Sequence, residues 1–183
     1  MPNWCFAGVR VTGPKNEVRK LYHMMKNLEK MKEPLVENGF GTAWYGNLVH
    51  LLGGDWNIVY CRGSWSDLKL MADDVLAWND ETAWGPMTEV FELIEKAMPE
   101  LKVWYMAEEE GMEIYVTNDA DGILFPERYI LRSDCDTEYY ADLPTLLKDA
   151  SAMLKQEIKS KEQLLAIIEE KDDWAFHEFE VEG

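Results

Sequence analysis

Two adjacent carboxylates, Asp80 and Glu81, are the best candidates in this chain for acid–base chemistry, because Trp78 and Trp84 flank them. A carboxyl group serves as a general acid when an apolar pocket raises its pKa toward neutrality. The chain has 35 acidic residues, and most carboxylates in proteins are exposed to water. Solvated acids are therefore the favoured interpretation of this pair, and a catalytic pair is the alternative.

The segment "TNDADGILFPER" at 117–128 has part of the spacing of a calcium-binding loop. Asp119, Asp121 and Gly122 fit the third, fifth and sixth positions of an EF-hand. The first position is Thr117 and the twelfth is Arg128, where the loop requires carboxylates. We therefore interpret the segment as a polar hairpin turn with glycine in a left-handed conformation. A zinc site is not expected either, because the histidines lack close spacing: His23, His50 and His177.

Cysteine usage and the lack of catalytic motifs argue against a cofactor. Cys5, Cys61 and Cys135 are odd in number, widely spaced and form no C-x-x-C pair. Cys5 and Cys61 fall in predicted strands, where a reduced thiol packs as a small apolar group. The sequence contains no G-x-S-x-G, P-loop or G-x-G-x-x-G motif, and "LLGGDW" at 51–56 predicts a turn. We assign no catalytic residue and expect no cofactor and a reducing compartment.

The net charge of −17 limits the classes of partner. Residues 1–50 carry a small excess of basic side chains, so the acidic excess belongs to the remainder of the chain. Direct binding to nucleic acid is disfavoured, because phosphates would be repelled. The acidic surface either keeps the protein soluble or engages a basic partner, for example by imitating nucleic acid.

No apolar run reaches the roughly 20 residues that span a bilayer, and no signal-peptide pattern precedes the chain's first strand. We therefore expect a cytoplasmic protein.

The periodicity of the first third of the chain predicts one strand and one helix. Apolar side chains alternate over Trp4–Thr12, which is typical of a strand with one buried face. A helix with an apolar stripe is predicted from Pro14 to about Met31. Residues 32–56 predict a partly ordered crossing segment, and "WNIVYCRGSW" at 56–65 predicts a second strand.

The remaining elements complete an α+β pattern. Residues 66–84 fit either a helix opened by Ser66 or two strands joined at Asp73-Asp74. A second helix is predicted after Gly85-Pro86, with Val90, Leu93, Ile94 and Ala97 inward. Three strands follow as a meander: "LKVWYMAEE", "MEIYVTN" and "GILFPERYIL". Residues 144–159 and 161–170 predict helices, and "WAFHEFEV" predicts a terminal strand. We expect an antiparallel sheet with two helices on one face.

Three short blocks resemble a known family. "MPNWC" with the following "VTGP", "RGSWSD" and "ETAWGPM" are similar, in this order, to segments of the YubB-type ferredoxin-like domain of conjugative plasmids and bacteriophages. Gly85 and Met87 depart from the serine and second proline usual in the family. The resemblance implies a ferredoxin-like sandwich over 1–142, with Trp4–Thr12 as a central strand of the sheet and an insertion at 32–56. It also favours the hairpin at Asp73-Asp74. It implies no iron–sulfur cluster and no catalytic residue. Residues 143–183 would form a helical extension packed on the same domain.

We interpret the chain as a non-enzymatic accessory protein of a mobile element, an acidic module that binds a basic protein surface. A nucleic-acid mimic or an anti-defence factor would belong to this class. Tryptophans near turns are the main signal for an interface, although core packing explains most of them. The predicted partner-binding residues are Trp65, Trp78, Asp80, Glu81 and Trp84. The alternative is an enzyme or small-ligand-binding domain with a cleft near Asp80, Glu81 and Trp84.

Overall fold

The computed structural model of the protein describes residues 2–37, 39–133 and 136–182. The architecture is α+β, as predicted. The chain divides into two compact units, the first ending at Asn118 and the second beginning at Asp119. The expected division, a domain over 1–142 with an extension over 143–183, stays a prediction. Cys135 lies outside the described residues.

The first unit contains the predicted central strand. Its elements in chain order are β1 (Trp4–Thr12), α1 (Lys15–Glu29), α2 (Tyr45–Leu51), β2 (Gly63–Ala72), β3 (Val75–Ala83), α3 (Thr88–Ala97), β4 (Lys102–Glu109) and β5 (Ile114–Thr117). β1 pairs antiparallel with β3 on one side and with β4 on the other. Within this unit the strands lie in the order β2-β3-β1-β4-β5. The predicted hairpin at Asp73-Asp74 is confirmed by the pairing of β2 with β3.

The helices of this unit cover one face of its sheet, because each presents an apolar stripe to it. Cys5, Ala7, Val9 and Val11 on β1 are buried, and their alternation is the one that the sequence predicts. Side chains of α1 and α3 pack against them in one core: Val18, Leu21, Met25, Leu28, Val90 and Ile94. Ala97 was expected to face inward and is exposed instead. On the other face, no helix lies among the described residues of this unit, and we call it the open face.

Two predicted strands are wrong over most of their length, because local hydrogen bonds satisfy the backbone there. Only their last residues, 63–65 and 129–131, lie in strands. Residues 56–62 form turns and coil rather than a strand. The backbone N–H groups of Ile58 and Val59 donate to the Asp55 carbonyl at 2.9 Å, and Asn57 N donates to the Asp55 carboxylate at 2.9 Å. Because these backbone N–H groups are already bonded, they cannot pair with a neighbouring strand. Cys61 is consequently buried outside any strand.

The second misassigned strand is the third member of the expected meander. The Asp119 carboxylate accepts hydrogen bonds from Leu124 N at 2.7 Å and Phe125 N at 2.8 Å. Arg128 donates to the Phe125 carbonyl at 2.8 Å. The loop is therefore closed on itself, and the next strand forms in another sheet. Gly122 has φ 67°, the left-handed conformation that the sequence predicts.

The second unit combines a small sheet with two helices. Its elements are β6 (Tyr129–Arg132), β7 (Thr137–Tyr140), α4 (Leu143–Leu154), α5 (Lys161–Ile168), β8 (Ala175–Glu178) and β9 (Glu180–Val181). β6 pairs antiparallel with both β7 and β8. Asp142 and Ser160 cap the two helices by accepting from Thr145 N and Gln163 N. α4 ends before the predicted 159 because Lys155 adopts φ 53°. Among the described residues, no helix has both the length and the apolar character needed to cross a bilayer.

Candidate docking groove on the open face

Asp80 and Glu81 are neighbours on β3, but their side chains lie on opposite faces of the sheet. Successive residues of a strand alternate between faces. Asp80 is 3% exposed and faces the core, whereas Glu81 is exposed on the open face. The cleft expected around these two residues and Trp84 would need both carboxylates on one surface. The strand geometry separates them.

Asp80 belongs to a buried polar cluster with Tyr45 and Trp78. The Tyr45 hydroxyl donates a hydrogen bond to Asp80 Oδ1. Trp78 Nε1 donates to the same oxygen at 2.8 Å and lies 2.7 Å from the Tyr45 hydroxyl oxygen. Asp80 Oδ2 has no hydrogen-bond partner within the described parts of the chain. One oxygen of the carboxyl is thus satisfied twice and the other not at all.

Burial dominates the acidity of this cluster. It raises the pKa of Asp80 to about 7, although the hydrogen bonds from Tyr45 and Trp78 act in the opposite direction. Burial and the nearby Asp80 raise the pKa of the Tyr45 hydroxyl above its usual value. A near-neutral pKa suits acid–base catalysis. However, Tyr45 and Trp78 are themselves fully buried, so no substrate can reach this carboxyl without unfolding the site.

The open face presents large aromatic side chains beside Glu81. Trp4 and Phe6 project from β1 and are 47% and 55% exposed. Phe6 lies directly opposite Glu81 on β3, and Glu81 in turn lies opposite Ser64 on β2. Residues paired in this way have Cβ atoms about 4.5–5.5 Å apart. An aromatic ring, a carboxylate and a hydroxyl therefore form one row across three strands.

A groove of about 170 Å³ opens at one end of this row. Its wall is aromatic and its polar groups comprise one carboxylate, one guanidinium and one hydroxyl. We call it the aromatic groove, and it is lined by Trp4, Phe40, Trp44, Arg62, Gly63, Ser64, Glu81 and Ala83. All of these residues belong to the first unit. Four segments separated in sequence therefore build one concave surface.

The rings of Phe40 and Trp44 are held in place by packing. They stack with centroids 5.6 Å apart and an interplanar angle of 30°. Trp44 forms an isolated β-bridge with Ser64, which joins this segment to the edge of the sheet. A Cβ on Gly46 would lie 2.0 Å from the Trp44 ring, so only glycine fits there. Trp44 is buried, whereas Phe40 is 67% exposed and offers an accessible ring.

The other predicted site residues lie elsewhere. Trp65 and Trp78 are buried in the core, and Trp65 Nε1 donates to Glu29 at 3.1 Å. Trp84 is 42% exposed and does not line the groove. Its backbone has φ 71°, which is strained for a bulky residue, and its N–H donates to the Asn3 carbonyl at 2.9 Å. Buried rings cannot contact a partner, so Glu81 is the predicted residue that lies in the groove.

Metal and thiol chemistry find no support in the described geometry. Within residues 2–37, 39–133 and 136–182, no three His, Cys, Asp or Glu side chains converge as metal ligands. Cys5 and Cys61 are buried free thiols. Burial raises the pKa of each to about 11, which suppresses the reactive thiolate. Both behave as small apolar core residues, in line with the sequence interpretation.

The sequence did not predict most residues of the groove, although the alternation of the first strand already indicated that Trp4 and Phe6 share the face opposite Cys5 and Ala7. Trp4 and Phe6 are out of phase with the buried Cys5 and Ala7, so the strand alternation itself places them on the opposite face. Arg62 lies in a segment that the sequence assigned to a strand interior. Phe40 lies in the crossing segment, whose course the sequence pattern did not define.

Comparison with protein-family models, with curated proteins and with solved structures finds no match to this chain.

Proposed function

We propose that this chain is a non-enzymatic protein-binding module of a mobile genetic element, which docks a basic surface of a partner protein in the cytoplasm. The observation that carries the proposal is the pair of exposed aromatic rings, Trp4 and Phe6, on the open face beside Glu81. Contiguous exposed aromatic surface is rare on monomeric proteins and marks interaction sites. Aromatic residues are also enriched in the energetically dominant parts of interfaces.

The charge of the chain supports a basic partner. At a net charge of −17, long-range attraction accelerates association with a positively charged protein and repels an acidic one. Nucleic-acid-processing and host-defence proteins carry positive surfaces of this kind, since they bind phosphates. A module that presents carboxylates to such a surface would act as a nucleic-acid mimic or an anti-defence factor.

The proposal includes a ferredoxin-like sandwich of the YubB type. What supports it is the order β1-α1-β2-β3-α3-β4, with the four strands arranged as β2-β3-β1-β4 and both helices on one face. The short α2 occupies the segment in which the resemblance implies an insertion. The alternative of a catalytic or ligand-binding cleft at Asp80, Glu81 and Trp84 has less support, because Asp80 is buried on the far side of the sheet.

The proposal is tested by affinity capture at two ionic strengths with three forms of the chain. We expect the wild-type protein to retain a basic protein from a host lysate at about 50 mM salt and to lose it near 300 mM, where charges are screened. The Phe6→Ser variant should lose the same protein at low salt. Ile58→Ser removes an exposed apolar side chain in the loop before β2 and is the matched control.

The outcome is decided by the comparison among the variants. Retention of the same protein by wild type and Phe6→Ser would show that the open face is not the docking surface. Loss in both variants would indicate a nonspecific effect of apolar surface. Retention of acidic rather than basic proteins would refute the charge argument.

A further inference from the structure

We propose that the aromatic groove binds the guanidinium group of an arginine side chain on the partner protein. This inference rests on the proposed function and assigns a chemistry to one part of its docking surface. The groove has a volume of about 170 Å³, whereas sites for drug-sized ligands and cofactors occupy about 300–1,000 Å³. Its size therefore suits a single side chain rather than a nucleotide or a cofactor.

The aromatic wall favours a flat cation. Trp4 is about half exposed and lines the groove, so its indole can contact a ligand there, beside the Phe40 ring that stacks on Trp44. A cation over such a face is attracted by the ring quadrupole, most strongly for tryptophan. A guanidinium is planar and weakly hydrated, so it stacks on the ring, whereas the lysine ammonium is a strongly hydrated point charge. The wall therefore selects arginine over lysine.

Glu81 supplies the complementary anion. Its carboxylate is exposed in the groove and has no hydrogen bond or ion pair within the part of the chain that the structure describes. A carboxylate accepts two parallel N–H bonds from one guanidinium, which adds geometric specificity to the charge attraction. Ser64 lies opposite Glu81 on the neighbouring strand and adds a hydroxyl acceptor. The groove thus offers acceptors to several of the five N–H donors of arginine.

Among the described residues that line the groove, Arg62 is the one with a basic side chain, and it gives the inference a sharp test. It would repel an arginine ligand but would attract an anionic ligand such as a phosphate. The charge of the whole chain, −17, favours the cation. An arginine ligand and an anionic ligand predict opposite changes in binding affinity for two substitutions. For an arginine ligand, Glu81→Gln weakens binding and Arg62→Gln strengthens it, whereas for an anion both effects reverse.

The experiment is an NMR titration of the full chain with short blocked peptides. The probe is N-acetyl-Gly-Arg-Gly-amide, and the same peptides with lysine or with the uncharged isostere citrulline are the comparisons. We expect saturable shifts of the Trp4 indole and Ser64 amide signals with the arginine peptide, and at least about 5-fold weaker binding of the other two. Glu81→Gln should weaken arginine binding by about 5-fold or more, and Arg62→Gln should strengthen it by about 2-fold.

The control variant is Glu92→Gln, which removes the same charge from an exposed position on α3 outside the groove. It should leave the affinity within about 2-fold of wild type. Equal weakening by Glu92→Gln and Glu81→Gln would show that only net charge matters and would overturn the inference. Equal affinity for arginine and citrulline, or no shift at Trp4 and Ser64, would also overturn it. A titration with guanosine monophosphate that Arg62→Gln weakens would indicate an anion site instead.

These outcomes separate the two proposals. If the arginine peptide does not bind but Phe6→Ser abolishes capture of a basic protein, the groove inference fails and the proposed function stands. If the arginine peptide binds in the groove but Phe6→Ser retains the captured protein, the docking role of the open face fails and the groove assignment stands.

Discussion

Replacement of Asp80 by asparagine should remove a large part of the pH dependence of stability. The folded carboxyl has a pKa of about 7, against 3.8 for an ordinary aspartate. Between these two pH values the folded protein keeps the proton and the unfolded chain has released it. The free energy of unfolding therefore falls by about 1.4 kcal/mol per pH unit as the pH rises from 4 to 7, and this contribution is constant above 7. The total loss from this one group is about 4 kcal/mol.

Asparagine has the same shape and keeps an oxygen that can accept from Tyr45 and Trp78, but it carries no charge to bury. We expect Asp80→Asn to be more stable than wild type at pH 8 by about 2–4 kcal/mol. From pH 5.5 to pH 8 the difference between variant and wild type should grow by about 2 kcal/mol. Tyr45 does not contribute in this range, because burial raises its pKa above the usual value.

The measurement is urea unfolding at several pH values between about 5.5 and 8.5, followed by tryptophan fluorescence. Glu81→Gln is the matched control, since it neutralises the adjacent, exposed carboxylate of the same strand. It should change the free energy of unfolding by no more than about 0.5 kcal/mol at any pH. If Asp80→Asn shows the same pH slope as wild type, Asp80 is not a buried neutral acid. A loss of stability at pH 8 would also refute the reasoning.

Two further predictions concern buried groups. In a Cys135→Ser variant, Cys5 and Cys61 should react with a thiol reagent at least about 100-fold more slowly in the native protein than in urea. The reason is that burial raises the pKa of both thiols to about 11. Comparable rates would show that the thiols are accessible. Gly46→Ala should lower the free energy of unfolding by about 1–3 kcal/mol, because a Cβ there would lie 2.0 Å from the Trp44 ring. Unfolding by urea checks this, and an unchanged midpoint would mean that the Trp44 ring can move aside.

The hydrophobic periodicity of the sequence was sufficient to predict the first strand and the first helix. The alternation over Trp4–Thr12 and the stripe of α1 depend on periodicities of two and of 3.6 residues, which the chain carries without reference to its fold. Both were predicted and both are confirmed. The hairpin at Asp73-Asp74 was ambiguous by pattern, because a short apolar run fits either a helix or a strand. Its assignment came from the resemblance and agrees with the structure.

Local hydrogen bonds explain why two predicted strands were wrong over most of their length. Val59 N donates to the Asp55 backbone carbonyl in a turn, and Phe125 N donates to the Asp119 carboxylate, so neither N–H is available for strand pairing. Propensity is a weak guide where a polar side chain offers the backbone an alternative partner.

The sequence by itself determined the class of the fold, the alternation of the first strand and the charge that limits the partners. Those properties depend on residue types and on spacing along the chain, which do not require knowledge of the fold. Only the tertiary structure decided that Asp80 is buried, that Glu81 faces solvent, and that Trp4, Phe40 and Arg62 share one groove. Each of these facts requires knowing which strands lie side by side, since pairing between distant segments selects the face that the helices cover.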